Sequence, residues 1–291
     1  MPHLPIPAYD LGRSDHGQHM SDALIQFAHL MERDDEQIDL AEAALLIART
    51  EYSGLESSAQ LRRLDEMAGK FTVAPELSSV AHVQSLNEFL FEQEGFAGNE
   101  EEYDDPRNSF LNDVLDRKKG IPITLSLVYM ELAKRHGLPV VGVSFPGHFL
   151  VKYLTGPGEI IIDPYNKGAV LSRQACEERL KSHFGETAEL QPEFLAAAST
   201  KQILSRMLNN LKGSYFRRRN YTKVLTMVEM GMAIDPASRQ ELRDRGMVYL
   251  LMGRHQEARA DLNAYLALSP PDDPALKDVK AALTRLRAMM N

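Results

Sequence analysis

Residues 107–139 read RNSFLNDVLDRKKGIPITLSLVYMELAKRHGLP, and residues 140–166 continue VVGVSFPGHFLVKYLTGPGEIIIDPYN. The hydrophobic period changes once within this stretch, and that change sets the fold class. Pro122 stands where a helix begins, because the first helical position has no use for the missing N–H. Ile123, Leu125, Leu127, Val128, Met130, Leu132 and Ala133 then place apolar side chains on nearly every side. A helix of that kind is buried centrally. Gly137 closes it and Pro139 prevents its continuation. Val140 to Phe145 is a β-rich run, Pro146-Gly147 a turn signal, and His148 to Leu154 alternates. Phe149, Val151 and Tyr153 lie on one face of that strand and His148, Leu150 and Lys152 on the other. Thr155 to Gly158 is a hairpin loop, and Ile160 to Ile162 is a third strand ending at Asp163. The expected core is therefore α+β, one buried helix against a small antiparallel sheet.

Upstream, residues 21–94 follow a helical pattern. Leu40, Ala44 and Ile47 form one apolar face, and Val80, Val83, Leu86 and Leu90 another. Ser57 or Ser58, and Ser78 or Ser79, suit N-cap positions. Between Glu92 and Asp105 there are seven acids and no Lys or Arg, which reads as a solvated loop. Leu111, Val114 and Leu115 form the inner face of a short helix after Pro106. Downstream, Ser172 opens a polar helix reaching His183 and carrying Cys176, which reads as a structural thiol. From about Ser199 everything is helical, with a repeat. Pro236 and Pro270 are 34 residues apart, and at the same offset Leu208 matches Leu242 and Tyr215 matches Tyr249. Gly246 and Ala258 occupy positions where two helices approach closely, whereas the first copy has Lys212 and Val224 there. Leu, Gly, Tyr, Ala and Pro in that order resemble tetratricopeptide repeats, with a final helix from Asp273 to Met290 as the terminal cap.

The chain of 291 residues has room for two ordinary domains, and its balance of 44% hydrophobic and 25% charged residues is that of a soluble globular protein. A net charge of −8 argues against nucleic acid as the main partner, since phosphate binding needs a concentrated basic face. No apolar run is long enough to span a membrane. The first twenty residues lack the layout of a signal peptide and read as a flexible arm, with His16 and His19 as solvated residues. One cysteine excludes an internal disulfide and fits a reducing cytoplasm.

The chemistry centres on His148 and Asp163, an ionisable ring and a carboxylate 15 residues apart on neighbouring strands. In a papain-like or transglutaminase-like site a thiol sits at a helix N-terminus, a His takes its proton, and a carboxylate orients the His. The segments LNEFLFEQEGFAGN (86–99), the stretch from Asp105 to Pro139, GVSFPGHFLVKY (142–153) and IDPYNKG (162–168) resemble the SirB1 family of transglutaminase-like proteins. That resemblance implies a helix-rich transglutaminase-like core followed by an all-α tetratricopeptide-repeat region. It divides the chain into an arm (1–20), a core domain (21–190) and a repeat domain (191–291). It also places the family's His and Asp on His148 and Asp163. Counting back from Gly137, the family's cysteine position falls on Pro122, with Ile123 and Thr124 beside it, and none is Cys.

Two functions follow as expectations. One is a non-catalytic scaffold that binds polypeptide through its cleft and its repeat groove. The other is a hydrolase or acyltransferase with His148 as base, Asp163 as orienter and Thr124 or Ser126 as nucleophile. Asn108, Asn112, Pro122 and Tyr165 are candidate cleft residues. Arg217, Arg218 and Arg219, with Lys212 and Lys223 nearby, are candidates for gripping an acidic segment from the repeat domain. No cofactor is expected, and no metal, since only two ligands are visible where zinc takes three or four. The sequence specifies no oligomeric state.

Overall fold

The apolar run after Gly120 forms helix α6 (Pro122–Arg135), and every residue from Pro122 to Ala133 is buried. Gly137 ends it with φ +66, a left-handed conformation that costs glycine nothing. The structure, a computed structural model, describes residues 22–156 and 158–290. The N-terminal arm with His16 and His19, and Pro157 of the hairpin loop, lie outside the described residues.

Helices α1 (Asp22–Met31), α2 (Leu40–Arg49), α3 (Ser57–Lys70) and α4 (Ser79–Asn87) precede α6, and α4 continues as a π-helical turn to Gln93. Ser78 caps α4 by accepting from the Ala81 N–H, as the sequence suggests, but the N-cap of α3 is Glu56, with no side-chain bond. Val80, expected on the apolar face, is 56% exposed, because the inner face of α4 is made by His82, Val83 and Leu86. Strands β1 (Ala97–Gly98) and β2 (Lys119–Gly120) pair in parallel and flank α5 (Leu111–Arg117).

After α6 comes an antiparallel sheet in the order β3 (Val140–Val143), β4 (Leu150–Leu154), β5 (Glu159–Asp163), β6 (Ala169–Leu171). The fourth strand has three residues, too short for its alternation to show in sequence. The predicted two faces of β4 are both buried. Phe149, Val151 and Tyr153 join the main core around α6, whereas Leu150 packs with Val143, Phe145, Ile161, Cys176 and Leu180 in a second cluster under α7 (Arg173–Phe184). Lys152, on that second face, reaches out to donate to the Leu195 carbonyl at 2.8 Å and to Glu159 at 2.8 Å. Ser172 caps α7 from the Ala175 N–H at 3.0 Å.

The C-terminal helices are two hairpins and a cap: α8 (Thr200–Arg217) with α9 (Tyr221–Ile234), α10 (Arg239–Leu251) with α11 (His255–Leu268), then α12 (Leu276–Met290). The 34-residue period thus marks the hairpin repeat. Gly246 is required where it stands, because a Cβ there would lie 2.8 Å from the Leu262 side chain. Ala258, Leu262 and Tyr265 bury against Val279, Leu283 and Leu286 of α12.

One apolar core runs through both halves, from Leu24 to Val248, and Ile203, Leu204, Met207, Leu208 and Leu211 of α8 belong to it. Asp35 caps α8 from the other half, accepting from the Thr200 N–H at 2.8 Å and the Lys201 N–H at 2.9 Å. The shared apolar core and these bonds hold α8 against the α+β core. No helix among the described residues is long and apolar enough to cross a membrane.

Candidate functional site

His148 does not begin a strand, as its alternation suggests, but ends the turn that precedes β4. Gly147 permits that turn, with φ +72 and the His183 ring 2.9 Å from where a Cβ would stand. The turn aims His148 Nε2–H at Asp163 Oδ1, 2.9 Å away. Asp163 is fully buried at the end of β5 and is a hub. Its Oδ1 also accepts from the Tyr165 N–H at 3.1 Å, and its Oδ2 accepts from Asn166 Nδ2 at 2.6 Å and Arg179 Nη1 at 2.7 Å. Burial alone pushes this carboxyl up, but the bonds from His148, Asn166 and Arg179 outweigh it and hold it down at about 2. It is therefore an ionised acceptor that fixes the orientation of the imidazole.

Tyr165 follows Asp163 in a 3-10 turn and lies edge-on to His148, with ring centroids 6.1 Å apart. Its other neighbour is Tyr103, also at 6.1 Å, and its ring covers Gly98 so closely that a Cβ there would meet it at 2.6 Å. Tyr165 thus stands beside the dyad.

At the start of α6, Pro122 is the first helical residue and is buried. Thr124 Oγ1 donates to the Asn108 carbonyl at 2.6 Å and accepts from the Ile121 N–H at 3.2 Å, so the hydroxyl is a cap and a strut between segments. Ser126 is fully buried and its Oγ makes no hydrogen bond. Asn108 is a fully buried knot: Nδ2 donates to the Glu102 carbonyl at 2.6 Å, and Oδ1 accepts from Asn99 at 3.0 Å and Arg117 at 3.2 Å. Asn112 is buried nearby with Oδ1 unpaired. Thr124→Val removes both bonds of the strut and is expected to lower unfolding free energy by about 1–2 kcal/mol in urea titration. An unchanged midpoint would show that the hydroxyl does not hold this corner.

The arginine triplet does not act as one patch. Arg217 pairs with Asp104 of the acidic loop, and Ser214 Oγ donates to the Asp104 carbonyl. Two stretches that each read as solvated therefore meet. Arg218 and Arg219 are exposed at the end of α8, Arg219 with φ 56. Lys212 is buried against Glu241 and Asp244, and Lys223 donates to the Thr50 carbonyl at 2.7 Å.

Three comparisons bear on this arrangement. The family description "transglutaminase-like superfamily" matches residues 58–209, and "tetratricopeptide repeat" matches residues 211–289. A UPF0162 protein of Xylella fastidiosa is 35% identical over 81% of this chain and 86% of its own length. The protein SirB1 of Salmonella typhimurium is 27% identical over 78% of this chain and 84% of its own.

The chain belongs to the SirB1 (UPF0162) family of transglutaminase-like proteins.

The crystal structure of menin, described as revealing the binding site for Mixed Lineage Leukemia protein, overlays with a TM-score of 0.41 and 9% identity, covering 84% of this chain and 69% of menin's. In this SirB1-family chain the two matched regions meet inside α8, which is also where the shared core crosses from one half to the other.

Three neighbours of the site escaped sequence reading. Arg179 reads as part of a polar helix, yet α7 folds back over the sheet and delivers it to Asp163. Its spacing from buried Cys176 and Leu180 is the signal that places it at the edge of an inner face. Asn166 and Tyr103 come from a turn and a loop with no period to read. Cys176 is buried in the second cluster, and burial pushes its thiol up, away from thiolate.

Proposed function

We propose that this protein binds polypeptide and does not transform it: a transglutaminase-like core whose nucleophile position is occupied by structure, joined to tetratricopeptide hairpins. The observation that carries this reading is the start of α6. Nucleophilic catalysis in such a core needs a side chain there that can be deprotonated toward the His. Pro122 offers none. Thr124 has its proton committed to the Asn108 carbonyl and its lone pair to the Ile121 N–H. Asp163 also ties down Asn166 and Arg179, which gives the His148–Asp163 pair a structural role beside any catalytic one. Hairpin repeats, for their part, present extended surfaces suited to a peptide.

Of the two candidate hydroxyls on α6, Ser126 is the one whose oxygen makes no hydrogen bond, and it keeps the hydrolase or acyltransferase reading testable. The test is exposure of the full chain to fluorophosphonate and acyl-electrophile probes, followed by peptide mapping. The expected result is no adduct on Thr124 or Ser126. An adduct on either that disappears in His148→Ala would establish a working nucleophile and overturn the proposal.

A further inference from the structure

Arg206 differs from most half-buried arginines among the described residues; Arg49 also lacks a carboxylate but donates to Gln26 Oε1 at 2.7 Å. Arg117, Arg135, Arg179, Arg243, Arg245 and Arg254 are half-buried, and each holds a carboxylate. Arg206 is half-buried too, but among the described residues it forms no ion pair. Its recorded hydrogen bond is a long one, Nη2 to the His148 carbonyl at 3.4 Å. Burial depresses its guanidinium, and the ionisable group opposing this is the Tyr103 phenol. A desolvated charge without a counter-ion is costly, and proteins pair such groups.

Arg206 also lines an open trough of about 750 Å³, a size that accommodates a short run of peptide. The trough lies between α8, the end of α9 and the segment 193–198, whose Ala196, Ala197 and Ala198 contribute small side chains. Gln202, Arg206 and Asn209 lie at i, i+4 and i+7 on α8 and so share one face. Gln202 uses its oxygen on the Ser199 N–H at 2.9 Å, and Asn209 Oδ1 makes no hydrogen bond. A guanidinium flanked one turn either way by carboxamides complements a carboxylate carried on a peptide backbone. Glu193 and Asp235 line the same trough, as does Lys201, whose Nζ donates to the Arg33 carbonyl at 3.1 Å, and the chain carries −8 overall. The two acids and the net charge disfavour a polyanion such as RNA and favour an isolated carboxylate.

We propose that the trough along α8 binds an extended polypeptide segment through one Asp or Glu side chain, received by the Arg206 guanidinium beside the His148 turn. The anchor in this proposal is a side-chain carboxylate and not a chain end. This deepens the reading of the protein as a polypeptide binder and rests on it.

The test is fluorescence polarisation with the full chain and short peptide pools, N-acetylated and C-terminally amidated, carrying a central Glu in one pool and Gln in the other. The Glu pool is expected to bind at least about tenfold more tightly, the scale of a charge-assisted bidentate contact. Arg206→Ala should erase that preference. Gln202→Glu should erase it too, by placing a carboxylate one turn from Arg206. It also keeps a side chain able to close the cap of α8, so it reads out even if Arg206→Ala misfolds. Equal binding of the two pools overturns the carboxylate assignment, as does a preference that survives both substitutions. Binding that appears only in pools remade with a free C-terminus, or that a short RNA abolishes while the Gln pool does not compete, overturns it as well. Failure of every pool to bind overturns both this inference and the polypeptide-binding reading.

Discussion

Replacing Asp163 with Ala is expected to destabilise the protein by about 3–5 kcal/mol, the cost of removing one partner from a buried charged network. The carboxylate is fully buried and holds His148, Asn166, Arg179 and the Tyr165 N–H at once. Its loss strands Arg179 and frees the turn that carries His148. Against a total of about 5–15 kcal/mol for an ordinary domain, that is a large fraction. Urea unfolding followed by circular dichroism should show a lower midpoint with an unchanged slope. The same group sets a pH window. Asp163 falls from 3.8 to about 2 on folding, so the folded state binds its proton less tightly. The resulting stabilisation, on the order of 2 kcal/mol, is present above the unfolded value and is lost as pH falls from about 4 towards 2. Asp163→Ala should lack that acid-dependent loss. A variant with the wild-type midpoint and the wild-type acid limb would show that this hub is peripheral to folding.

Lys212→Met is the second large effect expected. Lys212 occupies the position that Gly246 fills in the next repeat, and its ammonium lies 2.7 Å from Glu241 and 3.1 Å from Asp244. Methionine keeps the stem packed and removes the charge, leaving two carboxylates close together. Glu241 has little room to adjust: its second oxygen is unpaired, and its carboxyl carbon lies 2.7 Å from where a Cβ on Gly231 would stand. About 3–5 kcal/mol of destabilisation follows at neutral pH. Burial already pushes the Glu241 carboxyl above its ordinary 4.5, against the pull of Lys212. A group raised on folding binds its proton more tightly when folded, so its burial becomes cheaper as pH falls. The deficit of Lys212→Met relative to wild type should therefore shrink on acidification. A deficit that is constant or grows would mean that the lost term is packing and not charge.

Much of this is legible in the sequence. The α6 helix followed from the unbroken apolar run between Pro122 and Ala133, bounded by Pro122 and Gly137. The hairpin period followed from Tyr215 and Tyr249 at a fixed offset. His148 and Asp163 stood out because a ring and a carboxylate bracketed one hairpin. The fourth strand, Ala169–Leu171, was not legible, because three residues carry no period. Nor was the placement of His148 in a turn, because the alternation that begins at Phe149 extends by accident one residue upstream. Charge pairing was the least legible. Asp104 and Arg217 both sit in stretches that look solvated, and Arg179 sits on a helix that reads as polar although it pairs with Asp163.

The sequence by itself determined the buried helix, the two faces of β4 and the hairpin repeats, because these rest on local period and on turn residues that constrain φ; the family came from the resemblance of whole segments. Only the tertiary structure decided what the polar groups do. It committed the Thr124 hydroxyl to the backbone, made Asp163 a four-way anchor, and left Arg206 lining a trough without an ion pair among the described residues. The reason is physical: apolar periodicity is a property of one segment, whereas the state of a buried polar group depends on partners that only the packing of distant segments supplies.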